Sequence, residues 1–512
     1  MTTLTPIGPQ AERPRVALYG HDTLGLGHLR RNLALAGTFA ADADTADGPE
    51  RDLLGADVLM LSGATELGLF ERPEGVDALV VPGVRKDDEG GYSPRQLRSH
   101  LATVIELRRS MLTNALLTFA PDLLVVDKAP WGFGGELADV LPRLRRAGTK
   151  LVLGLRDVLD DADIATAQWH SEGGEEAVRE VYDEVWVYGD SSVHDVTAAC
   201  SMSAAVAAKC HHVGYLSEGR PSSDPDHRPL GDRPYVLVTS GGGQDGAELI
   251  RAAVSMAPRP DHDVLVLTGP QMKPEVISEL RAAAEDRADM HVMRFSRHGA
   301  AWQAGARAVI SMGGANTVAE QLATDVPVLI VPRVTPRLEQ LVRAEALADR
   351  GLVDMLHPVD LCDQALSTWV DENAGRRVGR RGLALDGLAE VRRRAAALIA
   401  APGTHQRQGT TGGRALRAVG GWRDADDLES DRDTFGPTDH LTAAAYVPPS
   451  PYIAAAPTPV EGVPLSFMAL RAARAAVTPP HTPATATAPC HPATPARPVR
   501  AHRSRSLSHA AV

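Results

Sequence analysis

Glu320 is the residue whose type and position most clearly indicate chemistry. It lies one turn into a predicted helix, after a glycine loop and before a second short apolar strand. Gly313 and Gly314 let backbone amides approach a ligand, and the helix start behind them favours a negative group such as a diphosphate. The carboxylate oxygens of Glu320 could then accept hydrogen bonds from the two hydroxyls of a ribose. An ordinary strand-turn-helix unit with a solvated glutamate is the alternative, because a glycine loop alone is a weak signal.

The pattern around this loop predicts a strand over residues 308–311, a helix over 316–324 and a strand over 327–331. Asn316 is of the type that caps a helix start. We expect Asn316 and Thr317 to stand beside the bound diphosphate.

A second glycine loop follows the predicted strand 235–240. Gly241, Gly242 and Gly243 would present amides to a diphosphate, and Ser240 would add a hydroxyl. No lysine follows at Walker spacing, which weakens a nucleoside-triphosphatase interpretation. The first loop of the chain carries Gly25 and Gly27, which we expect to contact the donor. It lacks the third glycine of the dinucleotide fingerprint, so a nicotinamide enzyme is also disfavoured.

His28 closes that first loop at the start of a helix. A histidine there could take a proton from an attacking hydroxyl, because its ordinary pKa lies near neutrality. Asp127 and Asp157 follow two predicted strands of the same half, and either could orient the histidine or bind acceptor hydroxyls. A histidine that only caps the helix, and aspartates that only form salt bridges, are the alternatives.

Glu339 and Gln340 begin a helix after a strand and a proline-containing turn. Their polar side chains could bind the hydroxyls of a sugar.

The chain has 512 residues and a net charge of −12, and residues 1–400 are its acidic part. An acidic body argues against a nucleic-acid partner. The cysteines lack CxxC spacing and the DxD-like pairs fall in predicted loops, so we expect no metal site. No apolar run approaches the ~18 residues of a membrane span, and the first residues lack the apolar core of a signal peptide, which predicts a cytoplasmic location.

Strands alternate with helices in both halves, and each half opens with strand, glycine loop and helix. This order predicts an α/β fold with two Rossmann-like domains, whose parallel sheets face an interdomain cleft. We place the N-terminal acceptor domain at 14–216, a linker at 217–232, and the C-terminal donor domain at 233–400. Residues 401–512 are rich in alanine, proline and threonine and should be a disordered tail. Within that tail, residues 462–477 could form an amphipathic helix, either a peripheral membrane contact or a transient helix without function.

These motifs together resemble GT-B glycosyltransferases of the MurG-like family 28 type, and more closely a bacterial group of predicted glycosyltransferases whose N-terminus reads like HDTLGLGHLRRN. The resemblance covers roughly residues 15–400 and is carried by GLGH, by GGG after the second opening strand, and by GGANTVAEQLATDVPVLIVPRVTPRLEQ. It implies inverting transfer without a metal or other cofactor, with the nucleotide sugar in the C-terminal domain. It also implies that backbone atoms of Phe295 and Ser296 meet the base, that Glu320 binds the ribose, and that His28 is the general base.

One departure concerns the donor sugar, because MurG-type enzymes have two glutamines where this chain has Glu339 and Gln340. The expected function is transfer of a hexose-type sugar, from a UDP-sugar by preference, to a hydroxyl of a small-molecule, glycan or lipid-linked acceptor. A nucleotide-sugar 2-epimerase would share the fold and the donor site. A non-catalytic nucleotide-sugar-binding protein, in which His28 has no role, is the second alternative.

Overall fold

The computed structural model describes residues 13–21, 27–41, 55–86, 91–220 and 227–401. Gly25 and the expected tail beyond Ala401 lie outside these ranges. The described residues form two parallel β-sheets with helices packed against them, together with one small antiparallel pair of strands. The expected α/β architecture of two Rossmann-like domains is thereby confirmed.

The first sheet has seven parallel strands in the order β3-β2-β1-β6-β7-β8-β9. They are β1 Arg15–Gly20, β2 Asp57–Ser62, β3 Val76–Val80, β6 Leu123–Asp127, β7 Lys150–Arg156, β8 Glu184–Tyr188 and β9 Cys210–His212, and the antiparallel pair is β4 Val84–Lys86 with β5 Tyr92–Pro94. The chain adds β2 and β3 on one side of β1 and the later strands on the other. The switch in direction lies between β1 and β6, where ligands bind in open α/β sheets.

The second sheet repeats this arrangement with six parallel strands in the order β12-β11-β10-β13-β14-β15. They are β10 Tyr235–Thr239, β11 Asp263–Leu267, β12 Met290–Met293, β13 Ala308–Ser311, β14 Val328–Ile330 and β15 Asp354–Met355. Its switch point lies between β10 and β13. Both predicted glycine loops of this half follow these two strands.

Fourteen helices of the described ranges connect and cover the strands. In the first half they are α1 Gly27–Ala40, α2 Leu101–Phe119, α3 Leu141–Arg146, α4 Ala162–Ser171, α5 Gly174–Glu180, α6 Val196–Ala199 and α7 Ala204–Ala207. In the second half they are α8 Ala247–Val254, α9 Pro274–Ala284, α10 Gly299–Gly305, α11 Ala315–Leu322, α12 Glu339–Ala348, α13 Asp363–Asn373 and α14 Gly387–Ala400. Short 3-10 turns occur at Thr65–Leu69, Phe133–Gly135 and Pro358–Asp360. In these ranges no helix combines the length and the apolar character that crossing a bilayer requires.

The first sheet is buried on both faces, which explains why its strands are continuously apolar in sequence. Ala17 and Tyr19 of β1 belong to one core cluster, while Val16 and Leu18 belong to another on the opposite face. The second cluster also contains Leu388 and other residues of α14. The last described helix thus follows the second sheet in sequence but packs against the first.

Candidate functional site

His28, Arg31 and Asp127 form a hydrogen-bonded group at the switch point of the first sheet. Asp127 ends β6 and is 1 % exposed, and its Oδ2 lies 2.9 Å from Nδ1 of His28. Arg31 donates to both carboxylate oxygens of Asp127 at 2.7 to 3.0 Å. Burial acts to raise the pKa of Asp127, but the charges of Arg31 and His28 hold that pKa well below its ordinary value.

An ionised Asp127 can accept the proton of Nδ1, and in that tautomer Nε2 of His28 is the nitrogen that can take a proton. The ring of His21 lies 4.4 Å from that of His28. Burial and the neighbouring His28 lower the pKa of His21 well below its ordinary value, so His21 stays neutral. The group therefore has the geometry of an oriented general base.

Asp157 has a different partner. It lies just beyond β7 and forms a buried two-point ion pair with Arg343 of α12, at 2.7 and 2.6 Å. Arg343 also donates to the carbonyl oxygen of Gly313 at 2.8 Å. Asp157 is thus tied to the loop after β13, and within the described part of the chain no hydrogen bond joins it to His28.

The loop after β10 is shaped by glycine. Gly241 and Gly243 have φ of 67° and 94°, which favour glycine, and a Cβ on Gly243 would lie 2.5 Å from the carbonyl oxygen of Thr268. Ser240 donates its hydroxyl to that same carbonyl at 2.6 Å. Gly242 accepts from the amide of Gln271 at 2.9 Å. Hydrogen bonds to Thr268 and Gln271 thus fix the loop to the segment that follows β11, and Ser240 directs its hydroxyl proton at the carbonyl of Thr268.

This loop faces the start of α11, since a Cβ on Gly241 would lie 3.5 Å from Oγ1 of Thr317. The helix begins at Ala315 with Gly314 at its N-cap, one residue earlier than expected. Asn316 is not the cap, because its side chain is used elsewhere: Nδ2 donates to the carbonyl of Gly27 at 2.8 Å. No described side chain caps the helix, so its first amides remain available to an anion.

Glu320 points toward the first half of the molecule. Its Oε1 accepts hydrogen bonds from Arg30 of α1 and, at 2.9 Å, from Arg220, and its Oε2 accepts from Gln303 at 2.9 Å. Burial acts to raise the pKa of Glu320, whereas Arg30 and Arg220 lower it below the ordinary value. Asn316 joins this cluster by accepting from Arg220 at 3.1 Å.

Arg30 and Arg220 therefore occupy Oε1 of Glu320, and Gln303 occupies Oε2, so both oxygens expected to bind a ribose already have partners. Neither arginine was among the expected site residues. Arg30 lies within the motif GLGHLRR that closes the first loop, and its place in that motif was the signal that could have found it. Arg220 had none, since it lies in a polar stretch far from Glu320 in sequence.

Glu339 and Gln340 begin α12, as expected. Glu339 is 4 % exposed, and its Oε1 bonds Arg333, while Oε2 has no hydrogen-bond partner in the described part of the chain. Gln340 accepts from the amide of Arg333 at 3.1 Å, and its backbone packs against Gly313. Gln340 thus supports the loop, and Glu339 keeps a buried acceptor atom without a partner.

Phe295 and Ser296 follow β12. The ring of Phe295 packs edge-on against that of Phe70 at 5.6 Å, and the hydroxyl of Ser296 accepts from the amide of His298 at 3.1 Å. Gln271 of the same half contacts Glu66 at 3.3 Å. The segment after β12 and the loop after β11 thus both touch the 3-10 region near Glu66 and Phe70.

Comparison with known proteins finds a family match for part of the chain. Residues 235–372 match the family model of the glycosyltransferase family 28 C-terminal domain. No curated protein sequence matches the chain.

Several solved structures are similar. One is a protein of Listeria monocytogenes provisionally described as a UDP-N-acetylglucosamine 2-epimerase (13% identity, 76% of this chain and 96% of that chain, TM-score 0.50). Another is MurG of Acinetobacter baumannii (14% identity, 75% of this chain and 95% of that chain, TM-score 0.42). A third is the calicheamicin glycosyltransferase CalG4 (17% identity, 76% of this chain and 94% of that chain, TM-score 0.43). At such identities the likeness concerns the fold. The chain therefore carries a glycosyltransferase family 28 C-terminal domain within a GT-B fold.

Proposed function

We propose that this chain is an inverting, metal-independent glycosyltransferase that moves a hexose-type sugar from a UDP-sugar to an acceptor hydroxyl. The observation that carries the proposal is the His28–Asp127–Arg31 group, because it orients a base at the switch point of the half that precedes the family 28 domain. The glycine loops and Glu320 of that domain supply groups suited to a nucleotide diphosphate.

In this reaction Nε2 of His28 takes the proton of the acceptor hydroxyl as its oxygen attacks the anomeric carbon of the donor. The bond from that carbon to the diphosphate breaks with its electron pair on the leaving phosphate. The amide of Gly242 and those of the first turn of α11 stabilise the growing charge. The amides of Gly241 and Gly243 would first have to leave Oγ1 of Thr239 and the carbonyl of Ser240. Attack from the face opposite the leaving group inverts the anomeric configuration.

Donor binding requires a rearrangement at Glu320. The ribose hydroxyls replace Arg30 and Arg220 on the carboxylate, and the released arginines stay close enough to pair with a phosphate. Glu339, with its unpartnered oxygen, accepts a hydrogen bond from a donor-sugar hydroxyl. Phe295 and Ser296 border the base.

The test is a thermal-shift screen with UDP, dTDP and their sugar conjugates. A ligand at 100 times its dissociation constant should add about 2.7 kcal/mol of stability. Glu320→Ala should weaken UDP at least tenfold, whereas Glu279→Ala, an exposed carboxylate paired with Arg251, should not. Equal affinity of wild type and Glu320→Ala for UDP would contradict the assignment of Glu320 to the donor site.

Product analysis with the ligands found by that screen separates the alternatives. Transfer to an added acceptor with inversion supports the proposal. Epimerised donor formed without an acceptor would indicate the 2-epimerase, and tight binding without any turnover would indicate a binding protein.

A further inference from the structure

Two cations at the ends of neighbouring strands of the first sheet have no anionic partner among the residues that the structure describes. Lys128 directly follows β6, and Arg156 ends β7, which pairs with β6. Across the described residues neither side chain forms an ion pair or a hydrogen bond, and Nε of Arg156 is buried without a partner. By contrast, the nearby Arg31 and Arg343 each have an aspartate.

The backbone at Lys128 is also unusual. Its φ of 70° lies in the left-handed region, which is strained for a residue with a side chain. A hydrogen bond from its amide to the carbonyl of Gly154, at 2.8 Å, holds this conformation. Strain of this kind clusters at functional sites, and here it sets the point where the lysine leaves the strand.

The charges that surround Lys128 come from both halves of the molecule. Burial, Arg156 and Arg337 lower the pKa of Lys128 to about 7, while Glu172 and Glu339 act in the opposite direction. Arg337 already has partners, since it bonds Gln168 at 3.1 Å and approaches Asp160 at 3.5 Å. The unmatched positive charge therefore rests on Lys128 and Arg156.

Glu339 faces these cations from the second half. Arg156 is the cation that most lowers its pKa, yet no hydrogen bond joins the two residues, and each keeps an unpartnered buried atom. The two cations lie at the ends of β6 and β7, and the carboxylate lies at the start of α12.

We propose that Lys128 and Arg156 bind an anionic group of the acceptor, a phosphate or a carboxylate, beside the hydroxyl that His28 deprotonates. We assign this anion to the acceptor and not to the donor diphosphate because of where the two cations lie. Lys128 directly follows Asp127, the partner of His28, whereas the glycine loops and α11 lie in the second half. This inference names the acceptor class and rests on the proposed function.

The first test measures binding of inorganic sulfate with UDP present at saturation, by titration calorimetry. Sulfate should bind together with UDP, at least tenfold more weakly to Lys128→Met and Arg156→Gln, and almost normally to Lys128→Arg. The control Lys273→Met removes an exposed lysine and should change nothing. Sulfate keeps its charge between pH 6 and 9, so its affinity for wild type should fall as Lys128 loses its proton above pH 7, but not for Lys128→Arg.

The second test compares matched acceptors: glucose, glucose 6-phosphate and glucuronate. Wild type should prefer one of the two anionic sugars to glucose, and the preferred sugar shows whether the bound group is a phosphate or a carboxylate. Lys128→Met should raise the KM of that sugar at least tenfold. Sulfate that displaces UDP, binds Lys128→Met as tightly as wild type, or does not bind at all would overturn the inference, as would a preference for glucose. If wild type does not bind UDP, the proposed function is refuted instead. The sulfate titration without UDP would then still decide whether the anion site exists.

Discussion

Asp127 joins two features at the scale of single residues, because one buried carboxylate both fixes Arg31 and orients His28. If Nε2 of His28 is the proton acceptor, His28→Ala should lower kcat by about 10²- to 10⁴-fold, the usual contribution of general base catalysis. Steady-state rates with the donor found by the thermal-shift screen measure this. UDP affinity should be unchanged, and His170→Ala, on the exposed end of α4, serves as the control. Transfer that survives in His28→Ala would assign the base elsewhere.

The carboxylate of Asp127 should also make the free energy of unfolding depend on pH. The pKa of Asp127 in the folded protein lies below its unfolded value of about 3.9, so its stabilisation is complete above roughly pH 5 and is lost as the pH falls through the folded value. In urea unfolding, Asp127→Asn should therefore be less stable than wild type at pH 7, with a smaller difference at pH 3.5. Asp286→Asn, at an exposed position, should show no such change. A difference that grows in acid would contradict the assigned sign.

Residue types were predicted better than their partners. His28 and Glu339 lie at helix starts, and Glu320 lies one turn into its helix, as the sequence pattern indicated. The contacts of Glu320 with Arg30 and Arg220 could not be predicted, because they join positions 290 and 100 residues apart. Only the packing of the two halves brings those arginines to one carboxylate.

At the scale of elements, the strands and the glycine loops were predictable because burial on both faces and positive φ leave clear marks on sequence. The start of α11 was not. Asn316 is a residue type typical of helix caps, but its side chain instead bonds Gly27 and Arg220. A tertiary contact thus overrode a local preference, and the helix starts without a side-chain cap.

The loop after β10 yields a prediction of its own. Gly243→Ala would place a Cβ 2.5 Å from the carbonyl of Thr268 at a φ of 94°, so we expect a loss of stability of about 1 to 3 kcal/mol and weaker UDP binding. Urea unfolding and the UDP thermal shift measure both effects. Gly299→Ala is the matched control, since a Cβ there meets open space at the start of α10, and it should be neutral or slightly stabilising. Normal UDP binding by Gly243→Ala would show that the loop tolerates a side chain.

At the scale of the whole molecule, α14 depends on the first sheet although it follows the second in sequence. Leu388 is buried among residues of that first core, near Trp186. Leu388→Ala should cost about 2 to 5 kcal/mol. Urea unfolding followed by tryptophan fluorescence measures this, and Leu97→Ala, at a side chain that is 46 % exposed, is the control. Equal stability of both variants would mean that α14 adds little to the first core.

The chain passes between the two halves twice, and the two passes lie side by side. Tyr215 donates to the carbonyl of Ala384 at 2.8 Å and accepts from the amide of Gly387 at 3.1 Å, while Glu218 donates to Leu385 at 3.0 Å. Two hydrogen-bonded segments at one place resist sliding and stretching more than bending. Separation of the halves should therefore be a rotation about this junction, which displaces Arg220, two residues after Glu218, less than groups that lie farther from it. Arg220 would then stay near the phosphates of the proposed donor throughout this rotation.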